Sequence, residues 1–369
     1  SLVGSEMCIR DRISFGGAPM DFSFEKNVGA ILHMYLGGQA VGESVADLIS
    51  GEVNPSGKLA ETIPFSEKDT PAWRYFAPPN DDVEYRESIF VGYRYYETFH
   101  VPVKYPFGYG LSYTSFSYSE LNVPEVYSGG KIQIRFKIKN IGKVSGAEIA
   151  QLYICPIESD VIRSHIELKE FQKIYLHPGE EKEVILELDE RSFSVYDVEK
   201  KAFSMLSGKY QICIGASVHD LQLKANMEVV GNSYFRNERE LFPDYFREQP
   251  HGMEISAEQF YQLLGGEPKH DKEKKRGEYT VYDSYQDVVN VSMFGKFVRG
   301  VVHIGLKIIL RGKSERDPAF KMVKMGVEEG NLEGLIATSG GIATPKLIDM
   351  LVYNANKKYL QAFKRLLKK

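Results

Sequence analysis

The middle of the chain alternates between apolar and polar positions. Seven short runs do so with period two: 115–123, 131–138, 147–155, 167–176, 183–188, 209–215 and 221–230. Each reads as a strand with one buried face. Gly129-Gly130, Gly142 and Pro178-Gly179 place turns between them. This count and spacing predict an all-β sandwich of immunoglobulin-like kind over 109–231.

On either side the period changes. In 39–50, Ala40, Val41, Val45, Leu48 and Ile49 make a helical stripe closed by Gly51. Before it, 13–15 and 20–24 read as short extended runs around the Gly16-Gly17-Ala18-Pro19 turn, and 28–36 is a short apolar segment. Asn54-Pro55-Ser56-Gly57 is a turn, 58–63 alternates like a strand, and 64–79 is a Pro-rich loop. Strand, turn, helix and strand in that order predict part of an α/β layer over 13–108. Residues 232–369 read as a charged linker (DKEKKR at 271–276) and a helical extension, with starts at Ser314 or Asp317-Pro318 and at Pro345.

The most apolar window, 288–310, is long enough to span a bilayer but contains Lys296, Arg299, His303 and Lys307. A spanning helix would meet a cost of about 2.5–3.5 kcal/mol for each central Lys or Arg. The spacings of three and four put those four residues on one face, so the window predicts an amphipathic helix. Docking of its apolar face on the protein's own domains is favoured over a membrane or a partner protein. From Val288 onward there are 15 Lys and Arg against 6 Asp and Glu, while the whole chain carries −4. Such asymmetry points to a partner or surface for the tail. Nucleic acid is disfavoured because no exposed aromatics interleave the basic stripe.

Composition excludes several classes. With 369 residues, 43% hydrophobic and 26% charged, the chain is neither disordered nor collagen-like. Three cysteines (Cys8, Cys155, Cys213) cannot staple a chain of this size and lack zinc-site spacing. Cys155 and Cys213 fall in apolar strands and read as buried free thiols, which suits a cytoplasmic rather than secreted location. The first 12 residues, SLVGSEMCIRDR, have no signal-peptide pattern and match the peptide read when sequencing-adapter DNA is translated in frame. They are expected to be non-native.

No catalytic constellation emerges. Gly37-Gly38-Gln39-Ala40-Val41-Gly42 lacks the order and the Lys-Ser/Thr ending of a phosphate loop. The eight histidines show no metal spacing, and a Gly-x-Ser-x-Gly elbow is absent. Asp69, Asp81, Asp82, Glu84, Glu87 and Glu97 could supply carboxylates but sit in a polar, loop-like stretch. The assignment is therefore no catalytic, cofactor-binding or metal residue, and no cofactor. The aromatic segment 90–98, followed by 105–116, demands ordered packing and surrounds Arg94 with rings. It reads either as a joint between domains, the favoured alternative, or as a sugar-stacking platform through Tyr95, Tyr96 or Tyr109.

Those same residues, FVGYRYYET and YPFGYGLSYTSF, resemble the hallmark of the family-3 glycoside hydrolases, the β-glucosidase and β-xylosidase group. Upstream, 30–64 is similar to the last helix and strand of that family's α/β sandwich domain. Downstream, 161–215 is similar to its fibronectin type III-like domain, with Glu167-Leu168-Lys169-Glu170-Phe171, His177-Pro178-Gly179-Glu180 and Ser207-Gly208-Lys209-Tyr210. From Tyr279 the tail resembles, more loosely, an extension of some bacterial members, including Asp317-Pro318 and Ser339-Gly340-Gly341. The resemblance implies a partial α/β sandwich (13–108), a fibronectin type III-like β-sandwich (109–231) and a helical C-terminal extension. It also implies a parent enzyme that hydrolyses oligosaccharides or aryl β-glycosides with retention, using two carboxyls about 5–5.5 Å apart. Neither of those carboxyls maps onto these residues, so the chain alone is expected to be inactive. A carbohydrate-binding or scaffold module is the alternative.

Overall fold

A computed structural model describes residues 11–76, 83–231, 236–267, 274–309, 317–328, 330–339 and 341–367. The chain forms two compact units, Ser1–Pro268 and Lys269–Lys369.

The first unit opens with β1 (Asp11–Ser14) and β2 (Ala30–His33), paired in parallel, then helix α1 (Val41–Ser50). The expected extended run at 20–24 is instead the entry to a 3₁₀ turn, Ser23–Asn27, and the strand partner is the apolar segment after it. Pairing begins at Asp11 and Arg12, inside the expected leader; residues 1–10 lie outside the described residues. The run at 58–63 contributes only β3 (Ile63–Pro64), which pairs with β4 (Val103–Tyr105) beyond the short helix α2 (Tyr93–Thr98).

All seven expected strands form: β5 (Phe116–Asn122), β7 (Ile132–Asn140), β8 (Gly146–Pro156), β9 (Glu167–Leu176), β10 (Glu181–Leu188), β13 (Gly208–Gly215) and β14 (Leu221–Val229). The short β6 (Val126–Tyr127) and the hairpin β11 (Ser194–Asp197) with β12 (Ala202–Met205) are additional. Sheet order is β10-β7-β5 on one side and β6-β14-β13-β8-β9 on the other. Alternation places Ile134, Phe136 and Ile138 of β7 and Val184, Leu186 and Leu188 of β10 inside. There they pack with Leu152, Ile154, Ile212 and Ile214. Strand β8 is buried on both faces, because Tyr153 and Cys155 on its outer side lie in a second apolar cluster with Cys213, Tyr93 and Phe107.

The expected boundary at 232 does not coincide with the division between units. Helices α3 (Glu238–Leu241) and α4 (Ala257–Leu264) bring Phe242, Tyr245, Met253, Ile255 and Phe260 onto Phe90, Tyr95 and Tyr96. These apolar side chains are spaced irregularly among charges, so no amphipathic period marked them as core.

The second unit comprises α5 (Tyr285–Val291), α6 (Met293–Ile309), α7 (Pro318–Glu328), α8 (Leu332–Thr338), α9 (Pro345–Ala355) and α10 (Tyr359–Leu367). The apolar window is thus two helices. Ser292 turns extended between them, and its hydroxyl accepts from Gly295 N at 3.0 Å, starting α6. A Cβ on Gly295 would lie 2.4 Å from Val289 O, so the corner requires glycine. Helix α6 turns Val298 and Val302 toward the core of α5, α8 and α9. Part of its apolar surface is therefore docked as expected. A second stripe is not, and Leu310 lies outside the described residues.

Candidate functional site

The aromatic segment is built around Gly92, whose φ of 55° and ψ of −140° suit a residue without Cβ and direct the chain into α2. One turn later Tyr95 is fully buried. Its hydroxyl donates to Gln249 O at 2.7 Å and accepts from Gly252 N at 3.0 Å, tying together segments more than 150 residues apart. Burial pushes its phenol up to about 12, so it stays protonated as a donor at neutral pH. Tyr93 stacks on Phe107 with centroids 4.6 Å apart, and its hydroxyl accepts from Leu168 N at 2.9 Å on the β-sandwich. Nearby, Arg86 covers the Tyr75 ring at 4.6 Å and donates to Ile255 O at 2.9 Å. Among the described residues Arg86, Arg236 and Arg239, rather than Arg94, place cations over rings of this joint.

Phe90, Tyr95 and Tyr96 are at most 3% exposed, so their faces are unavailable to a sugar. The segment packs as a joint. Of the three tyrosines named for a sugar platform, only Tyr109 is half-exposed.

The carboxylates separate into distinct environments. Asp69 faces His251 at 3.2 Å. Glu84 receives Arg86 Nε at 2.6 Å and the Tyr261 hydroxyl at 2.6 Å. Glu87 is 4% exposed and burial pushes its carboxyl up. Asp81 and Asp82 lie outside the described residues.

Glu97, at the end of α2, lines a cavity of about 450 Å³ with His100, Cys155, His165, Gln211 and Lys224. Its Oε1 lies 2.7 Å from His219 Nε2. Burial pushes the carboxyl up, while His219 and His100 act in the opposite sense. His165 is lowered by burial and then by His100. Cys155 Sγ and Cys213 Sγ are 3.8 Å apart and free; the contact with Cys213, then burial, pushes the Cys155 thiol up. Glu97 and His219 are 122 residues apart, and no local spacing signals their meeting. Glu97 is the only carboxylate among the described residues lining this cavity. Among the described residues no group of three or more His, Cys, Asp or Glu is placed to hold a metal ion.

Residues 13–113 match the family model described as the glycosyl hydrolase family 3 C-terminal domain, and residues 148–218 match the fibronectin type III-like domain. A thermostable beta-glucosidase B of Acetivibrio thermocellus is 44% identical over 219 residues, which make up 59% of this chain and 29% of that protein. An exo-alpha-(1->6)-L-arabinopyranosidase of Bifidobacterium breve is 38% identical over 207 residues, 56% of this chain and 27% of that protein. The crystal structure of a GH3 beta-glucosidase from Bifidobacterium adolescentis matches with a TM-score of 0.59 at 34% identity, covering 61% of this chain and 34% of that one. The chain therefore spans about a third or less of the length of each of these relatives.

Proposed function

We propose that this chain is part of a retaining β-glycosidase, because residues 13–113 match the glycosyl hydrolase family 3 C-terminal domain and residues 148–218 match the fibronectin type III-like domain. The parent releases terminal β-linked glucose, or xylose, from oligosaccharides and aryl glycosides. The observation that carries the reading is the presence of both domains, in that order, on one chain. In such an enzyme one carboxyl attacks the anomeric carbon, the other protonates the leaving oxygen, and water then resolves the glycosyl-enzyme. The reading places both carboxyls outside these 369 residues. Glu84 is already engaged by Arg86 and Tyr261, and Glu97 by His219, which supports that placement.

The domains described here act as a frame. Tyr93 and Tyr95 lock the α/β part to the β-sandwich and to the 238–264 segment. A relative named a beta-glucosidase and another named an exo-alpha-(1->6)-L-arabinopyranosidase are similar to this chain over 219 and 207 residues. Sugar choice is accordingly assigned to the remainder of the parent. Incubating the purified chain with 4-nitrophenyl β-glucoside and β-xyloside tests the placement of the carboxyls. No release above a mock preparation is expected, and turnover by the chain alone would overturn it.

A further inference from the structure

Helix α6 has two apolar faces with different surroundings. Val298 is buried and Val302 half-buried in the core of the C-terminal unit. Met293, Phe297, Val301, Ile304 and Ile308 recur at spacings of four, four, three and four, which aligns them on another side of the helix. These five side chains are 54–84% exposed. The stripe runs for about 22 Å at the α-helical rise. Helix α10 repeats the arrangement: Ala362 is buried, while Tyr359, Leu360, Phe363 and Leu367 are 56–75% exposed.

The side of α6 next to this stripe is cationic. Lys296, Arg299 and His303 line a cleft of about 490 Å³ together with Lys324 of α7, and no carboxylate is among the described residues lining it. Arg299 is oriented by Asn290, donating to its Oδ1 at 2.8 Å. From Val288 onward the chain carries nine more Lys and Arg than Asp and Glu.

We propose that the C-terminal unit docks on an anionic phospholipid surface. Helix α6 lies in the plane of the interface, with its exposed stripe among the acyl-chain ends and its basic cleft toward the headgroup phosphates. The geometry is that of an interfacial helix: apolar side chains along one side, cations beside them, and no span of the bilayer. Among the described residues no helix is long and apolar enough to cross a membrane. An anionic lipid layer meets both demands together, offering an apolar layer wide enough for the whole stripe and negative charge immediately above it. The expectation against a membrane assumed that α6 hides its apolar residues on the protein itself, and this stripe is the part it does not hide. The proposal is independent of the glycosidase reading.

Vesicle co-sedimentation of the full chain tests it. The chain is expected to bind equimolar phosphatidylglycerol–phosphatidylcholine vesicles, progressively less as salt rises, and not to bind pure phosphatidylcholine. Lys296→Gln/Arg299→Gln should weaken binding roughly thirtyfold, from about 1 kcal/mol for each cation near the surface. Phe297→Ser/Ile304→Ser should abolish binding with unchanged circular dichroism and melting, because both side chains are exposed. Three results would overturn the proposal. The first is no binding to anionic vesicles, or binding that neither double variant weakens. The second is equal affinity for soluble polyglutamate, which offers charge without an apolar layer. The third is no vesicle binding but a dimer by light scattering that Phe297→Ser/Ile304→Ser dissolves, which would give the stripe to a second copy of the chain.

Discussion

Replacing Tyr95 by Phe removes one oxygen atom from a fully buried position. The ring still fills its space, but Gln249 O and Gly252 N lose their partner. A buried polar group left unpaired costs about 1–3 kcal/mol, so two such groups cost roughly 2–6 kcal/mol, and we take about 3. For a domain of this size each kcal/mol lowers the melting temperature by about 2–4 °C, giving a drop of roughly 6–12 °C. The chain carries its own probe. Trp73 is the only tryptophan, is 39% exposed, and lies so close to Gly252 that a Cβ there would be 3.4 Å from the Trp73 Cβ. The neighbouring Met253 N donates to Pro71 O at 2.9 Å, so release of this segment changes the surroundings of Trp73. Fluorescence-detected melting of Tyr95→Phe should show the drop. The pH dependence gives a second check. With its folded value pushed up to about 12 from an ordinary 10, Tyr95 contributes stability that is complete below pH 10 and is lost as pH rises from 10 toward 12. The phenylalanine variant has no such group, so the gap between the two proteins should narrow over that window. A fluorescence transition within about 1 °C of the wild type would refute the claim that this hydroxyl locks the joint.

Other positions give further tests. Glu87→Gln should raise the melting temperature at pH 7, since burial raises the Glu87 carboxyl and penalises its charged form; the gain should vanish as pH falls below the ordinary glutamate range, where both forms are neutral. Gly92→Ala forces a side chain into a conformation open to glycine, at about 1–3 kcal/mol, and chemical denaturation would measure it. Ile212→Ala in the sandwich core should cost about 2–5 kcal/mol by the same method. Cys155 and Cys213 should react with a disulfide reagent only as the chain unfolds, because they are 9% and 0% exposed; rapid labelling of either of these two positions in the native protein, located by peptide mapping to set it apart from Cys8, would contradict that burial.

The sandwich was legible because its strands bury one face each, and Ile134, Phe136, Ile138 against Gln133, Arg135, Lys137 spell that out residue by residue. The β11–β12 hairpin was not, since Ser194–Asp197 and Ala202–Met205 carry no clear alternation. The break in the apolar window was hidden because Ser292 reads as one polar residue in a helix until its cap to Gly295 is seen. In the aromatic segment, composition announced ordered packing but not which rings would be inside. That depended on Phe242 and Tyr245, which arrive from some 150 residues downstream. The Glu97–His219 pair was illegible for the same reason: a contact made by topology leaves no spacing in the sequence.

The central claim, that these domains serve a family-3 β-glycosidase whose two carboxyls lie elsewhere in the parent, is tested most directly at the gene. Long-read sequencing upstream of the Ile13 codon should find an open frame that first completes the α/β domain, including its acid/base glutamate some tens of residues before Ser14, and then runs on into a (β/α)₈ barrel, the domain with which members of the family this chain resembles usually open. A stop codon close upstream, with a start near Ile13, would contradict the claim and leave a stand-alone chain with no hydrolytic partner domain.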